Sequence, residues 1–186
     1  MSKINNNPLL NGVSGMLGDV VVYRQVRGGV IMANKPKKTD TLTENQKPVR
    51  EKFKKAVNYA KRQMLDPTSK AAYATKISDK LNSAYMVAMT DFLNAPTVDQ
   101  LDLSGYAGQA ADKILVQASD DFRVASVFVS ILSADDAVIE SGPAIENANG
   151  EWEYTATVAN AEVATSKYQI QVKDKPGNMT VALLPA

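Results

Sequence analysis

The chain of 186 residues contains neither cysteine nor histidine. Without cysteine there can be no disulfide, no thiolate catalysis and no cysteine-ligated zinc. Without histidine there is no Ser-His-Asp triad and no imidazole metal ligand. The remaining carboxylates, lysines, tyrosines and hydroxyls catalyse reactions only where burial or close pairing shifts their pKa values. No such constellation is visible in the sequence, so we expect a protein that is not an enzyme and has no metal site or cofactor.

Long apolar runs are also missing. Nowhere do about 18 apolar residues follow one another, and residues 1–12 lack the apolar stretch of a signal peptide. We therefore expect a cytoplasmic protein or a particle component released by lysis, not secreted by a signal peptide and not bound to a membrane. With 45% apolar and 22% charged residues, the chain has enough apolar surface to form a core.

Basic and acidic residues are distributed unevenly, although the net charge is only +1. Residues 1–65 contain 13 Lys and Arg against 4 Asp and Glu, whereas residues 99–186 contain 5 against 13. This polarity suits a basic surface that meets nucleic acid, or head-to-tail contacts between the basic arm of one copy and the acidic domain of the next. The alternative is two solvated surfaces that merely differ in charge.

Residues 1–42 are predicted to form an extended arm with a β-hairpin. Two β-branched apolar segments, at residues 20–23 and 30–32, flank Gly28 and Gly29, which is a typical hairpin pattern. Before them, glycines at every third residue argue against a helix and for loops or close backbone contacts: Gly12, Gly15 and Gly18. An isolated hairpin is only marginally stable, so this one should pack on the rest of the chain or on a neighbouring subunit.

Residues 43–98 are predicted to form a small helical unit. Thr43 and Gln46 match a capping box, and the first helix should end at Asp66-Pro67, where Asp66 can cap a short second helix. The spacing of apolar residues predicts an inner face of Val49, Phe53, Ala56, Val57, Ala60 and Met64. The opposite face is basic, with Arg50, Lys52, Lys54, Lys55, Lys61 and Arg62. A third helix is predicted at about residues 79–94, with Leu81, Tyr85, Ala88, Met89 and Phe92 inside.

Residues 99–186 show the period of two that is typical of strands. Turn residues separate the predicted strands, which lie at residues 113–118, 123–132, 138–144, 152–158, 168–173 and 179–184. Six or seven strands at this spacing predict an antiparallel sandwich, with Trp152 in its core. The adjacent aspartates Asp120-Asp121 and Asp135-Asp136 lack the spacing of a calcium loop and are interpreted as turn formers.

Two segments resemble known proteins. The run YQIQVKDKPGNMTVALL resembles the last hairpin of bacterial immunoglobulin-like domains, and DDFRVASVFVSIL resembles an early strand of such domains. The resemblance covers about residues 110–184 and implies an immunoglobulin-like sandwich, an architecture that hosts many activities. The segment GxxGDVVVYR at residues 15–24, followed by KP, TxxQ and RxxFxxA, is similar to a family of uncharacterised proteins from Bacteroidota, related bacteria and their phages. That resemblance implies an architecture and no catalytic residues.

The sequence therefore predicts an α+β protein: a β-hairpin arm and small helical unit followed by an immunoglobulin-like sandwich. The favoured function is a structural subunit of a multi-copy particle, such as a phage virion or a phage-tail-like apparatus, that contacts copies of itself and other particle proteins. The predicted contact residues are Asp19, Tyr23, Arg24, Lys35 and Lys37. One alternative is a protein- or carbohydrate-binding module that uses the sandwich loops. Another is non-specific nucleic-acid binding through Arg24, Arg27, Lys35, Lys37, Lys38, Lys54 and Lys55.

Overall fold

The computed structural model of the chain describes residues 2–4, 10, 12–26, 29–37 and 42–185. The chain forms two compact units, residues 1–47 and residues 48–186, called here unit 1 and unit 2. The helical segment and the β-rich segment predicted from the sequence both lie in unit 2, apart from the first residues of the first helix. The threefold division at residues 42 and 98 stays a prediction.

Unit 1 contains a four-stranded antiparallel sheet. Its strands are β1 (Ser2–Ile4), β2 (Gly15–Leu17), β3 (Val21–Val26) and β4 (Gly29–Asn34), in the spatial order β1-β4-β3-β2. The β3–β4 pair confirms the predicted hairpin. For the glycine-rich segment before the hairpin, the sequence left loops or close backbone contacts open. Strands β1 and β2 were not predicted, and both pair with the hairpin and extend it to four strands.

Three helices begin unit 2. They are α1 (Gln46–Leu65), α2 (Pro67–Ala74) and α3 (Ala84–Leu93). The predicted stop at Asp66 is confirmed, since its carboxylate accepts hydrogen bonds from the Thr68 and Ser69 amides and caps α2. The third helix begins later than predicted, because Ser83 is its N-cap and accepts a bond from the Met86 amide.

The helices share a small apolar core. Its buried residues are Ala60, Tyr73, Ala84, Val87, Ala88 and Phe122. The predicted inner face of α1 is wrong at two residues, because Val49 is 69% exposed and Phe53 is 49% exposed. Ala56 and Ala60, by contrast, are fully buried. The buried residues of α1 therefore lie in its second half, and the amphipathic pattern extends beyond the buried part of the helix.

Seven antiparallel strands form the rest of unit 2. They are β5 (Thr97–Asp102), β6 (Lys113–Ser119), β7 (Val124–Leu132), β8 (Val138–Glu146), β9 (Trp152–Thr155), β10 (Lys167–Asp174) and β11 (Met179–Pro185). Their order is β11-β10-β7-β8-β9-β6-β5, and β5 also contacts β10 and β11, so the sheet nearly closes on itself. Strand β8 pairs with β7 over most of its length and with β9 at Ile145 and Glu146. The predicted α+β class is thus confirmed, and the predicted antiparallel strands, with β5 in addition, form one sheet that nearly closes as a barrel or sandwich. This nearly closed sheet is called here the sandwich.

Alternating side chains of these strands fill the core of the sandwich. Ile114, Val129, Ile131, Tyr168 and Ile170 are completely buried. Trp152 is 8% exposed and belongs to this core, as predicted from the sequence. The buried positions on β10 occur at every second residue, which is the period that identified the strands.

Candidate functional site

Two of the five predicted contact residues bind each other. Lys35, directly after β4, donates from Nζ to Asp19 Oδ1 at 2.7 Å. The backbone supports this pair, because the Lys35 amide also donates to the Val20 carbonyl at 2.8 Å. Asp19 lies in the turn between β2 and β3, and its side chain is 74% exposed. The pair therefore fixes the end of the sheet while it remains open to solvent.

Tyr23 and Arg24 are neighbours on β3 and so lie on opposite faces of the sheet. Tyr23 is half-buried and stands opposite Gly15 on β2 and Met32 on β4. Arg24 is exposed. The five residues thus do not form one surface, although all of them belong to the same part of unit 1.

Asp19, Lys35 and Lys37 meet at an open depression of about 1000 Å³ at one end of this sheet. Its other lining residues are Met16, Val20, Val22, Asn34 and Pro36. Charged groups therefore border an apolar floor. The shape suits a contact with a surface that presents apolar side chains and carboxylates together.

The sheet of unit 1 buries very little. Among the side chains of unit 1 that the structure describes, Val30, at 6% exposure, is the only buried apolar one. On β2, Met16 is 56% exposed and Leu17 is 65% exposed. Successive residues point to opposite faces, so this strand is uncovered on both sides. Val20 is 64% exposed as well.

In the basic segment predicted to bind nucleic acid, several of the described cations are exposed and others make contacts within the protein. Arg24, Lys37, Lys54 and Lys55 are exposed, whereas Arg27 and Lys38 lie outside the described residues. Lys52, on the basic face of α1, donates to the Leu93 carbonyl at 2.7 Å. At least one cation of this face therefore has a structural role.

A second candidate site lies in unit 2, where three aspartates come together. Asp91 is on α3, Asp120 is in the loop between β6 and β7, and Asp174 ends β10. One carboxylate oxygen from each lies within 4.8 Å of the other two. Asp91 is completely buried, Asp174 is 2% exposed and Asp120 is half-buried. These three residues are called here the aspartate cluster.

Hydrogen bonds hold the outer oxygens of the aspartate cluster. The Tyr73 hydroxyl donates to Asp91 Oδ2 at 2.5 Å, so the Tyr59 hydroxyl, 2.8 Å away, is the donor to Tyr73. Asp120 Oδ2 accepts two backbone amides of its own turn, which confirms its predicted role as a turn former. Asp174 Oδ1 likewise accepts two amides of the following turn. Each carboxylate is thereby held in a defined orientation.

The remaining carboxylate oxygens of Asp91 and Asp120 lack such hydrogen bonds. Asp91 Oδ1 and Asp120 Oδ1 are buried and have no hydrogen-bond partner among the described residues. Burial, reinforced by the charges of Asp120 and Asp174, raises the pKa of Asp91 to about 7, although the bond from Tyr73 opposes the shift. Burial also raises the pKa of Asp174. A concentration of buried negative charge with free oxygens is a suitable site for a proton or a cation.

The same region joins the helices to the sandwich. The Asn178 side-chain amide, in the turn before β11, lies within hydrogen-bonding distance of the carbonyls of Asp91, Phe92 and Asn94 at the end of α3. It also donates to Asp174 Oδ2 at 2.7 Å. Within unit 2, the aspartate cluster and Asn178 therefore connect α3 with two loops of the sandwich.

The aspartate cluster was not predicted from the sequence. Its members are far apart in the chain, and Asp120 and Asp174 look like ordinary turn residues. One signal was present, because Asp91 follows Val87 by four residues and Ala88 by three, which places a carboxylate on the buried stripe of α3. A carboxylate among buried apolar residues requires a partner.

Comparison of the chain with protein-family models, with curated proteins and with solved structures finds no match. None of the helices in the described part of the chain is long and apolar enough to span a membrane.

Proposed function

We propose that this chain is a non-enzymatic structural subunit of a multi-copy particle, such as a phage virion or a phage-tail-like apparatus, and that it assembles through the sheet of unit 1. The observation that carries the proposal is the poor burial of that sheet, in which Met16, Leu17 and Val20 are all more than half exposed.

The physical argument rests on what such a sheet gains from a partner. A large apolar side chain contributes about 1.5–3 kcal/mol when it is fully buried, so each half-exposed residue can contribute about 1 kcal/mol on being covered. Met16, Val20 and Val22, which line the depression, constitute with the charged border of Asp19, Lys35 and Lys37 a small interface core with a polar rim.

The proposed occupant of this surface is the acidic sandwich of a second copy. Residues 1–47, which belong to unit 1, contain 7 basic and 3 acidic residues, and residues 99–186 contain 5 and 13. Attraction between these regions favours a head-to-tail contact over a symmetric one, because two basic arms repel each other. In the acidic sandwich, Asp99 on β5 is exposed, and at the end of β8 the exposed Glu146 lies beside Ile145, which is 76% exposed; these groups have the matching chemistry.

We further propose that the sandwich of unit 2 is immunoglobulin-like. The spatial order of its strands and the pairing of β8 with both β7 and β9 support this assignment. Immunoglobulin-like domains place the first, second and fifth strands in one sheet and the third, sixth and seventh in the other. With β5 counted as the first strand, these are β5, β6 and β9 on one side and β7, β10 and β11 on the other. Small sandwiches of this type host many binding roles, so the assignment concerns architecture and leaves the function to unit 1.

Light scattering on the full chain tests the proposal. The protein should form species larger than a monomer at low ionic strength, and raised salt should weaken them. Met16→Glu should raise the dissociation constant about tenfold or more, because about 1.4 kcal/mol corresponds to a factor of ten. Leu65→Glu is the matched control, since Leu65 is 83% exposed and lies on α1 in unit 2. A wild-type chain that remains monomeric at high concentration and low salt would refute self-assembly through this sheet.

A second candidate function is non-specific binding of nucleic acid. The exposed first half of α1 favours it, because Arg50, Lys54 and Lys55 lie there beside the exposed Phe53. Single-stranded DNA should then bind with an affinity that falls steeply with salt, and Lys54→Gln with Lys55→Gln should reduce that slope by about two. Equal binding by this double variant and by the wild type would exclude α1 as the contact.

A further inference from the structure

Among the described residues, no basic side chain compensates the charge of the aspartate cluster. Three carboxylates lie together, two of them almost completely buried, and no Lys or Arg among the described residues forms an ion pair with any of them. The ammonium group of Lys175 is nearby but lies over the rings of Tyr73 and Phe122, at 4.7 and 5.5 Å from their centres. Buried like charges without a partner are costly, so a bound cation would stabilise this part of the fold.

Two buried oxygens are free to bind that cation. Asp91 Oδ1 and Asp120 Oδ1 have no hydrogen-bond partner among the described residues, and the side chains of these two aspartates lie within hydrogen-bonding reach of each other. Their other oxygens accept from Tyr73 and from backbone amides. This is the arrangement of a metal site, in which outer hydrogen bonds orient the ligands and leave the inner atoms for the ion.

We propose that Asp91, Asp120 and Asp174 bind one Ca²⁺ ion, which joins α3 to the loops of the sandwich. The three carboxylates supply hard oxygen ligands, and the chain has no cysteine or histidine that would favour a softer metal. Two oxygens bound to one Ca²⁺ at 2.3–2.6 Å can lie up to about 5 Å apart, which accommodates the observed limit of 4.8 Å. Mg²⁺ usually keeps several waters and takes one or two carboxylates, so a set of three protein carboxylates suits Ca²⁺ better.

The half-buried Asp120 provides a route to the site, because it is the member of the cluster that solvent can reach. Water molecules entering there would complete the six to eight ligands that Ca²⁺ takes. The ion would then cross-link a helix with two loops that are distant in the sequence, as the Asn178 amide does beside it.

Calorimetric titration of the EDTA-treated full chain with Ca²⁺ tests this site, together with thermal unfolding in EDTA and in millimolar Ca²⁺. We expect saturable binding of one ion and a rise of several degrees in the melting temperature. Asp120→Asn should weaken binding by at least about 10- to 100-fold, since it removes a ligand and not merely a supporting group. Asn can still accept the turn amides and can donate to Asp91, so the variant should fold. Asp91→Asn offers the same test from the helix side.

The matched control is Asp121→Asn, which removes the same charge from the same loop. Asp121 is exposed, and its carboxylate accepts a hydrogen bond from the Asn94 side chain outside the aspartate cluster, so its variant should bind Ca²⁺ as the wild type does. Absence of saturable binding and of any thermal shift in the wild type would overturn the proposal. Equal binding by Asp120→Asn and Asp121→Asn would overturn it as well, because the ion would then lie elsewhere.

Discussion

Replacement of Tyr73 by Phe tests how the aspartate cluster is held. Tyr73 is completely buried, its hydroxyl donates to Asp91 Oδ2 at 2.5 Å, and it accepts from the Tyr59 hydroxyl at 2.8 Å. Phenylalanine keeps the ring and its contact with Phe122 but leaves Asp91 with two unpartnered buried oxygens. An unsatisfied buried polar group costs about 1–3 kcal/mol, and we expect Tyr73→Phe to lower the free energy of unfolding by that amount.

Urea denaturation followed by the fluorescence of the single tryptophan, in EDTA, measures this loss. Tyr59→Phe is the matched control. It removes the hydroxyl that donates to Tyr73 but leaves the bond from Tyr73 to Asp91 in place. It should therefore lower the free energy of unfolding by only about 0.5–1.5 kcal/mol, the value of an ordinary hydrogen bond. The slope of the free energy against urea should not change in either variant. If Tyr73→Phe proves as stable as the wild type, or less damaging than Tyr59→Phe, the Tyr73–Asp91 bond does not anchor the cluster.

Three further predictions concern unit 2. Asn178→Ala should lower the free energy of unfolding by about 2–3 kcal/mol in urea denaturation, because the two hydrogens of the side-chain amide are shared among four acceptors. A loss below about 0.5 kcal/mol would contradict the conclusion that Asn178 connects α3 with the sandwich. Gly108→Ala should lower the free energy of unfolding by about 2–4 kcal/mol, since Gly108 has φ +86° and a Cβ there would collide with the Asn160 carbonyl. Gly150→Ala is the control: Gly150 has φ +81° but open space around it, so the loss should be only about 1 kcal/mol. Equal losses in the two glycine variants would show that strain alone sets the cost. Burial raises the pKa of Tyr154 from 10.0 to about 12, so the folded state keeps a proton that the unfolded state loses. The free energy of unfolding should therefore fall as pH rises from 10 to 12. Unfolding curves that coincide at both ends of this pH range would contradict this prediction.

Much of unit 2 could be predicted from local patterns. Strand β10 has a strong period of two, and the observed limits of β7 and β10 agree with the predicted ones within one or two residues. The stop of α1 at Asp66-Pro67 follows from capping chemistry alone. These features depend on residues close together in the sequence, which is why the sequence is sufficient to find them.

Features that depend on tertiary packing were missed or misplaced. Val49 and Phe53 fit the apolar stripe of α1, but nothing in unit 2 covers them, and a periodic pattern cannot show how far a helix is packed. The aspartate cluster depends on the approach of α3 to two loops, and no spacing in the sequence encodes that approach. Strand β2 was missed because Gly15 and Gly18 weaken a strand pattern, although Gly15 pairs with Tyr23 in the sheet.

The central claim, that a second copy covers the sheet of unit 1, is tested most directly by hydrogen exchange of the full chain at high and at low protein concentration. Amides of β2, β3 and β4 should exchange slowly at high concentration and faster on dilution, because dissociation uncovers them. Amides of β7 and β10, at the centre of the sandwich, should exchange at the same rate in both samples. Exchange in β2, β3 and β4 that is fast and independent of concentration, in a protein whose sandwich is protected, would contradict the claim.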